Sequence, residues 1–194
     1  QTALIVGGGK IGLKVMRMLH QGFGVHTLAC SQSTEAEWMT KTGLTRAALR
    51  ETFGLKAYSQ DLDALLPQAD LVSIHLPLTQ ATRNLIGAKQ FSRMKAGSVL
   101  VNVGRGGIVD EAALYDALAS GHLAGAASDV FATEPYSPVA PDKDLRTQAN
   151  MVFTPHCGSD TFEANARMGS SAVAQASAFI GGKTAELCVV ALTP

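Results

Sequence analysis

The stretch ALIVGGGKIGLKVM, residues 3–16, sets three consecutive glycines directly after an apolar run. Glycine loses more backbone freedom on folding than any other residue, so such a cluster must return something that a side chain would forbid. Gly7, Gly9 and Gly12 satisfy the spacing GxGxxG, with a strand pattern before them and a helix pattern after. In that context Gly7 allows a tight turn, Gly9 lets the backbone approach a pyrophosphate, and Gly12 lets the helix close on the strand. The pyrophosphate would rest on the free N–H groups and positive dipole of the helix start. The chemistry indicated is dinucleotide binding; the alternative is a glycine turn needed for packing alone.

The second half of that fingerprint is an acid about 20 residues further on, which binds the ribose 2′-hydroxyl. Here the chain reads CSQS, with no Asp or Glu before Glu35 and no Lys or Arg before Lys41. Ser31, Gln32 and Ser33 offer hydrogen bonds to a ribose hydroxyl or to a 2′-phosphate without the charge that decides between them. Both NAD and NADP stay open at this point.

The elements that must position such a site follow from the apolar pattern. Residues 2–6 form a run suited to a strand buried on both faces. Ile11, Val15, Met18 and Leu19 then fall on one helix face, and Gly22 is placed to end that helix. A second strand is expected at 25–30. Residues 31–60 are more polar, with a helix expected near 44–53 and the remainder unassigned. After them come a short helix at 61–67, a strand at 71–76, a helix near 87–93 and a strand at 98–103. Asp110 is expected to cap a helix in which Leu114 and Leu118 stack one turn apart before Gly121. Strands at 124–131 and 151–156 follow, and Thr161 opens a long helix to Ile180, closed by Gly181 and Gly182. Strands apolar throughout, alternating with helices, predict an α/β fold: a doubly wound parallel sheet, that is, a Rossmann fold.

Composition narrows the partners. Sixteen basic residues balance sixteen acidic ones, so no net field draws the chain to nucleic acid or to anionic lipid. No apolar run approaches the ~18 residues needed to span a bilayer. Cys30, Cys157 and Cys188 are odd in number, far apart and without metal-ligand spacing, which suits a reducing compartment and excludes a Cys-based metal site. Cys157 is read as a packing residue ahead of a redox-sensitive one. His20, His26 and His122 match no motif and are read as exposed or structural; His75 stands at a strand end without an assigned role. Short-chain dehydrogenases need Y-x-x-x-K, and Tyr58, Tyr115 and Tyr136 all lack the lysine; the nucleoside-triphosphate pattern GxxxxGK[ST] is absent too.

Three later segments are more specific than the glycines: HLPLTQATRNLI at 75–86, VNVGRGGIVDEAAL at 101–114, and ASDVFATEP followed by TPHCGSDT. In this order and spacing they resemble the D-isomer-specific 2-hydroxyacid dehydrogenase family, from Leu4 to about Gly182. The resemblance implies that Arg105 holds a substrate carboxylate, that His156 exchanges a proton with the hydroxyl or carbonyl oxygen, and that Glu134 supports that histidine. A guanidinium offers a planar fork for a carboxylate. An imidazole titrates near neutrality, so it donates in reduction and accepts in oxidation. The resemblance also points Asp129 at a nicotinamide carboxamide, sets Lys10 and Ile11 beside the pyrophosphate, and lines the rest of the cofactor groove with Pro77, Thr82, Val103 and Gly158.

The implied function is hydride transfer between NAD or NADP and a small 2-oxo or 2-hydroxy acid, in a cytoplasmic homodimer formed through the nucleotide domain. A non-catalytic NAD(H)-sensing corepressor-like module is the alternative from another class. The family's substrate domain, built from N-terminal and final residues, is not recognisable here. Residues 1–182 are therefore read as the dinucleotide-binding domain and 183–194 as a segment leading back toward that other domain. Weak or no turnover is expected from these residues alone, because hydride transfer needs aligned reactants and excluded water.

Overall fold

The computed structural model describes residues 1–183. They divide into two compact units, the first running from Gln1 to Pro155 and the second beginning at His156. The C-terminal segment expected at 183–194 lies, beyond Lys183, outside the described residues.

The first unit is built on one sheet whose strands are β1 (Thr2–Val6), β2 (His26–Cys30), β3 (Leu55–Ser59), β4 (Leu71–Ile74), β5 (Ser98–Asn102), β6 (Leu123–Ser128) and β7 (Met151–Phe153). All neighbours pair in parallel, in the order β3-β2-β1-β4-β5-β6-β7. The order reverses between β1 and β4, and open α/β sheets bind ligands outside the strand ends at such a switch point. The unit's helices are α1 (Lys10–Phe23), α2 (Glu35–Thr42), α3 (Arg46–Phe53), α4 (Leu62–Leu65), α5 (Ala88–Arg93) and α6 (Glu111–Ala119).

The unbroken apolar run of β1 has a direct cause. Leu4 and Val6 enter the larger core cluster, with Val72, Ile74, Leu100 and Ile108, whereas Ile5 enters the other, with Met16, Trp38, Leu49 and Leu55. Successive side chains of a strand point to opposite faces, and here both faces are covered. Leu4 and Ile5 are fully buried, each contributing roughly 1.5–3 kcal/mol of transfer free energy.

Two expectations for α1 are corrected. The helix runs through Gly22 and ends at Gly24, whose φ of 65° supplies the left-handed cap. Its buried face centres on Gly12 and Met16; Val15 and Leu19 pack beside them as expected, while Ile11 and Met18 are 65% and 64% exposed. Gly12 fixes that rotation, since a Cβ there would lie 2.1 Å from the Gly7 carbonyl oxygen; the helix is turned to bring its bare residue against the strand.

The segment 31–60, largely unassigned from sequence, holds α2, α3 and the edge strand β3. Thr34 caps α2 in a reciprocal capping box with Glu37, Thr45 caps α3, and Gly43 and Gly54 end the two helices with φ near 68°. Strands β4, β5 and β6 stop at Ile74, Asn102 and Ser128, short of the apolar runs that suggested them. The residues just past those ends leave the sheet to build the loops described next. Asp110 caps α6 as expected, its Oδ1 accepting from the N–H groups of Ala112 and Ala113.

In the second unit Thr161 caps α7 (Phe162–Ile180), accepting from Ala164 N–H, and Gly181 ends it.

Candidate functional site

The glycine turn follows β1. Gly7 has a φ of 107° and its N–H donates to the Cys30 carbonyl at 2.9 Å. A side chain at Gly7 would meet the His75 backbone at 2.7 Å. Gly9 differs, because a Cβ there would meet nothing within 4 Å. Its bareness serves no packing in this chain, which leaves room at the start of α1 for an approaching ligand. Lys10 and Ile11 are exposed on the first turn of that helix.

Beside the turn lies a groove of about 190 Å³ lined by Val6, Cys30, Ser31, Gln32, Leu76 and Thr82 among others. Burial, and after it the nearby Asp61 carboxylate, pushes the Cys30 thiol up to about 11, so it is a packing group rather than a nucleophile. The loop after β2 is pinned through its backbone: Tyr58 O–H donates to the Ser33 carbonyl and Gln60 Nε2 to that of Gln32, at 2.6 Å. Lys41 Nζ donates to Ser33 Oγ at 3.0 Å. Apolar walls with a hydroxyl and amide rim fit the adenosine half of a dinucleotide.

Thr82, 5% exposed, donates through Oγ1 to the Pro77 carbonyl at 2.7 Å and accepts from Thr79 N–H, so it shapes its own loop while lining the groove. His75 sits at the end of β4 with Nε2 2.9 Å from Ser73 Oγ and a buried Nδ1 without a hydrogen-bond partner. Burial lowers its pKa to about 4, and the ring is neutral at physiological pH.

The loops after β5 and β6 form a second region. Asn102 braces the first of them, its Oδ1 accepting from Gly104 N–H and its Nδ2 donating to the Arg105 carbonyl, both at 3.1 Å. The Arg105 side chain is exposed, with Nη1 donating to the Gly104 carbonyl at 2.7 Å. Val103 is 43% exposed on the same loop. Gly106 lies against the loop that follows β6: a Cβ would sit 1.8 Å from Phe131 C and 2.4 Å from Ala132 N. That second loop carries Asp129 and Glu134. Asp129 is 9% exposed and accepts from Thr154 Oγ1 at 2.5 Å, while Glu134 Oε1 accepts from Phe131 N–H at 2.9 Å. The segment 75–86 joins the assembly, since Asn84 N–H donates to the Gly107 carbonyl and Ile86 pairs with Val109. Two of the sequence motifs and the Asp129–Glu134 stretch thus meet in one unit.

His156 and Gly158 belong to the second unit. His156 is exposed with a φ of 55°, a conformation uncommon for a residue with a Cβ and found preferentially where function or tertiary structure demands it. Cys157 is exposed, which corrects the expectation that it packs. Of the other histidines, His26 is exposed, and His20 and His122 hydrogen-bond to backbone carbonyls, as expected.

Two residues of this neighbourhood escaped the sequence reading. Trp38, 3% exposed, donates from Nε1 to the Gly8 carbonyl at 2.6 Å and stacks on Tyr58 at 5.0 Å. It supports the glycine turn from within the sheet's second core; the Thr34–Glu37 capping-box pattern would have announced its helix. Glu111, 5% exposed, accepts from Ala132 N–H at 2.6 Å. In sequence it looks like an ordinary first-turn acid.

Among the described residues no group of three or more His, Cys, Asp or Glu could hold a metal, and no helix is long and apolar enough to cross a membrane.

A parallel sheet in this order, a glycine turn at its switch point and a groove beside it define a dinucleotide-binding protein of the Rossmann class. Residues 1–158 match the family described as D-isomer specific 2-hydroxyacid dehydrogenase, NAD binding domain, and the chain belongs to that family. NAD or NADP is the cofactor class that goes with that domain.

The chain is 38% identical over 189 residues to glyoxylate/hydroxypyruvate reductase B of Pectobacterium carotovorum, covering 97% of this chain and 54% of that protein. With the same-named protein of Cronobacter sakazakii the identity is 39% over 191 residues, covering 97% and 53%. Among solved structures, D-lactate dehydrogenase with NAD+ from Lactobacillus jensenii superposes with a TM-score of 0.78 at 30% identity, covering 98% and 56% of the two chains. An NADPH-dependent glyoxylate/hydroxypyruvate reductase from Sinorhizobium meliloti, in complex with NADP and malonate, gives 0.77 at 31%, covering 93% and 50%. The chain spans about half the length of the curated relatives it matches. These relatives carry enzyme names.

Proposed function

We propose that the chain is the nucleotide-binding and catalytic half of an NAD(P)-dependent oxidoreductase acting on a small 2-oxo or 2-hydroxy acid. In this reading residues 1–182 form the dinucleotide-binding domain and 183–194 lead toward a substrate domain. The observation that carries it is the meeting of the Arg105 turn with the Asp129–Glu134 loop at the carboxyl edge of the sheet whose switch point bears the Gly7–Gly12 turn. The glycine turn and the first N–H groups of α1, with Lys10 and Ile11, would hold the pyrophosphate. Ser31 would contact the ribose, and Pro77, Thr82, Val103 and Gly158 would line the groove. Bound there, the nicotinamide supplies or accepts the hydride.

The protein's own part is binding, orientation and proton handling. Arg105 would clamp the substrate carboxylate through its planar fork, turning the reacting carbon toward the cofactor. His156 would donate the proton to the carbonyl oxygen in reduction, and Glu134 would favour the charged imidazole and so keep that proton available. Asp129 would orient the carboxamide. The glyoxylate/hydroxypyruvate reductases among the relatives make short 2-oxo acids the first substrates to try. On the family resemblance alone, we also read the protein as a cytoplasmic homodimer joined through its nucleotide domain, which light scattering would check.

The test is a parallel titration of the purified protein with NADH and NADPH, followed by nicotinamide fluorescence and repeated with Gly9→Val. Saturable binding of at least one cofactor, lost in the variant, is expected. The full-length gene product should then reduce a short 2-oxo acid, with activity lost in Arg105→Gln and His156→Gln. Binding without any such turnover would overturn the enzymatic reading.

A further inference from the structure

Glu111 occupies the first position of α6, where an acid is ordinarily explained by the helix dipole. Its side chain does something else. Asp110 already caps the helix through its Oδ1, whereas the Glu111 carboxyl crosses to another loop, and its Oε1 accepts from Ala132 N–H at 2.6 Å over 21 residues of chain separation. The residue is 5% exposed, and its Oε2 is buried without a hydrogen-bond partner. A buried carboxylate with one bare oxygen is costly, since that oxygen gives up water and gains nothing. A residue whose task was to seat a helix could sit in solvent at no such cost.

The peptide that Glu111 holds is the one against which the Arg105 turn packs. Gly106 has no room for a Cβ because Phe131 C and Ala132 N stand at 1.8 and 2.4 Å from where it would be. Gly106 backbone and Glu111 carboxyl therefore grip the same Phe131–Ala132 peptide. On one side of that peptide lies Asp129, whose N–H donates to the Asn102 carbonyl at 3.0 Å, and on the other lies Glu134, bonded back to Phe131 N–H. Phe131 is itself fixed by stacking on Phe153 at 5.1 Å and by an edge contact with Tyr136 at 4.9 Å.

We propose that Glu111 is a positioning residue for the reaction: its carboxyl ties the loop bearing Asp129 and Glu134 to the turn bearing Arg105. The inference rests on the function proposed above, because it supposes that those three side chains serve catalysis. Burial raises the pKa of Glu111, with the Ala132 hydrogen bond opposing the rise and Asp110 adding to it. What the Ala132 N–H needs is an acceptor at the reach of Oε1, which an uncharged side chain can also supply. Glutamine has the same acceptor at the same reach; leucine has the volume and no acceptor.

The experiment uses the full-length gene product with Glu111→Gln and Glu111→Leu, and Arg105→Gln as a control. Glu111→Gln should keep kcat, KM and the pH profile close to wild type. Glu111→Leu should keep NADH or NADPH binding within a few-fold, because the glycine turn on the far side of β4 is untouched and only the Asp129 loop is displaced, yet lose kcat by up to about a hundredfold, as small misplacements of reacting groups do. The pH profile of its kcat should shift as well. If Glu111→Leu does not fold, Glu111→Asp, one methylene too short to reach Ala132, takes its place. Should the folded variant lower only thermal stability, with kcat and pH profile unmoved, the residue is structural and the proposal falls. It falls too if Glu111→Gln is as impaired as Glu111→Leu. Loss of function in Arg105→Gln with an unaffected Glu111→Leu overturns this inference alone, whereas a wild type without 2-oxo acid turnover overturns both readings.

Discussion

Gly9 and Gly106 are both bare backbone at the carboxyl edge of one sheet, and they are bare for opposite reasons. At Gly106 a Cβ would overlap the backbone of Phe131, so glycine there lets the protein pack against itself. At Gly9 a Cβ would meet nothing within 4 Å, so the chain has no internal use for the space. The difference separates two regions: a switch-point turn shaped around a ligand, and a pair of loops shaped around each other. Stability measurements alone would find Gly106 and overlook Gly9.

That contrast can be tested by substitution. Gly106→Ala should have the largest effect, costing about 3 kcal/mol or more, because the clash is with main chain that cannot step aside; chemical denaturation measures it. Gly12→Ala, against the Gly7 carbonyl, should cost about 2 kcal/mol and weaken cofactor binding as α1 is pushed off β1. Trp38→Phe removes the buried bond to Gly8 and should cost about 1–2 kcal/mol, with a weaker titration end point for NADH and NADPH. At the bottom of the series Gly9→Ala should alter stability by no more than about 0.5 kcal/mol while abolishing cofactor binding. A large stability loss there would mean that Gly9 packs after all and would erase the comparison.

A further prediction concerns the seam between the two regions, where His75 stands beside Gly7. Its folded pKa of about 4 lies below the unfolded value of about 6.5. As pH falls through that window the unfolded chain binds a proton that the folded chain refuses, so stability is complete above about 6.5 and is lost progressively toward 4. Denaturant midpoints at pH 7 and 5 should show a decline in wild type that is smaller in His75→Leu.

The two regions were unequally legible before folding. Local patterns announced the glycine turn: an apolar strand, GxGxxG and a helix occupy consecutive residues, and each obeys its own short period. The alternation that predicted a parallel sheet is legible for the same reason. The second region became visible only through the resemblance carried by the segments around Arg105, Asp129 and Glu134. Nothing in periodicity marked them, because their relation is between loops far apart in the chain. In α1 the periodic reading was half right: Val15 and Leu19 pack against the core while Ile11 and Met18 face solvent, and the Gly12 contact with Gly7 brings the face bearing Gly12 and Met16 inward. In α2 the Thr34–Glu37 capping pattern was present in the sequence and indicates the helix that carries Trp38.

By itself, the amino-acid sequence determined the fold class, the glycine turn and the family, since strands, helices and turns are local and each is written in neighbouring residues. Tertiary structure decided which face of α1 is buried, that Trp38 supports Gly8, and that Glu111 and Gly106 grip one peptide. The Trp38 and Glu111 contacts join residues 30 and 21 positions apart, and they exist because the strand order brings loop ends together, a consequence of packing the whole unit that no short window of sequence contains.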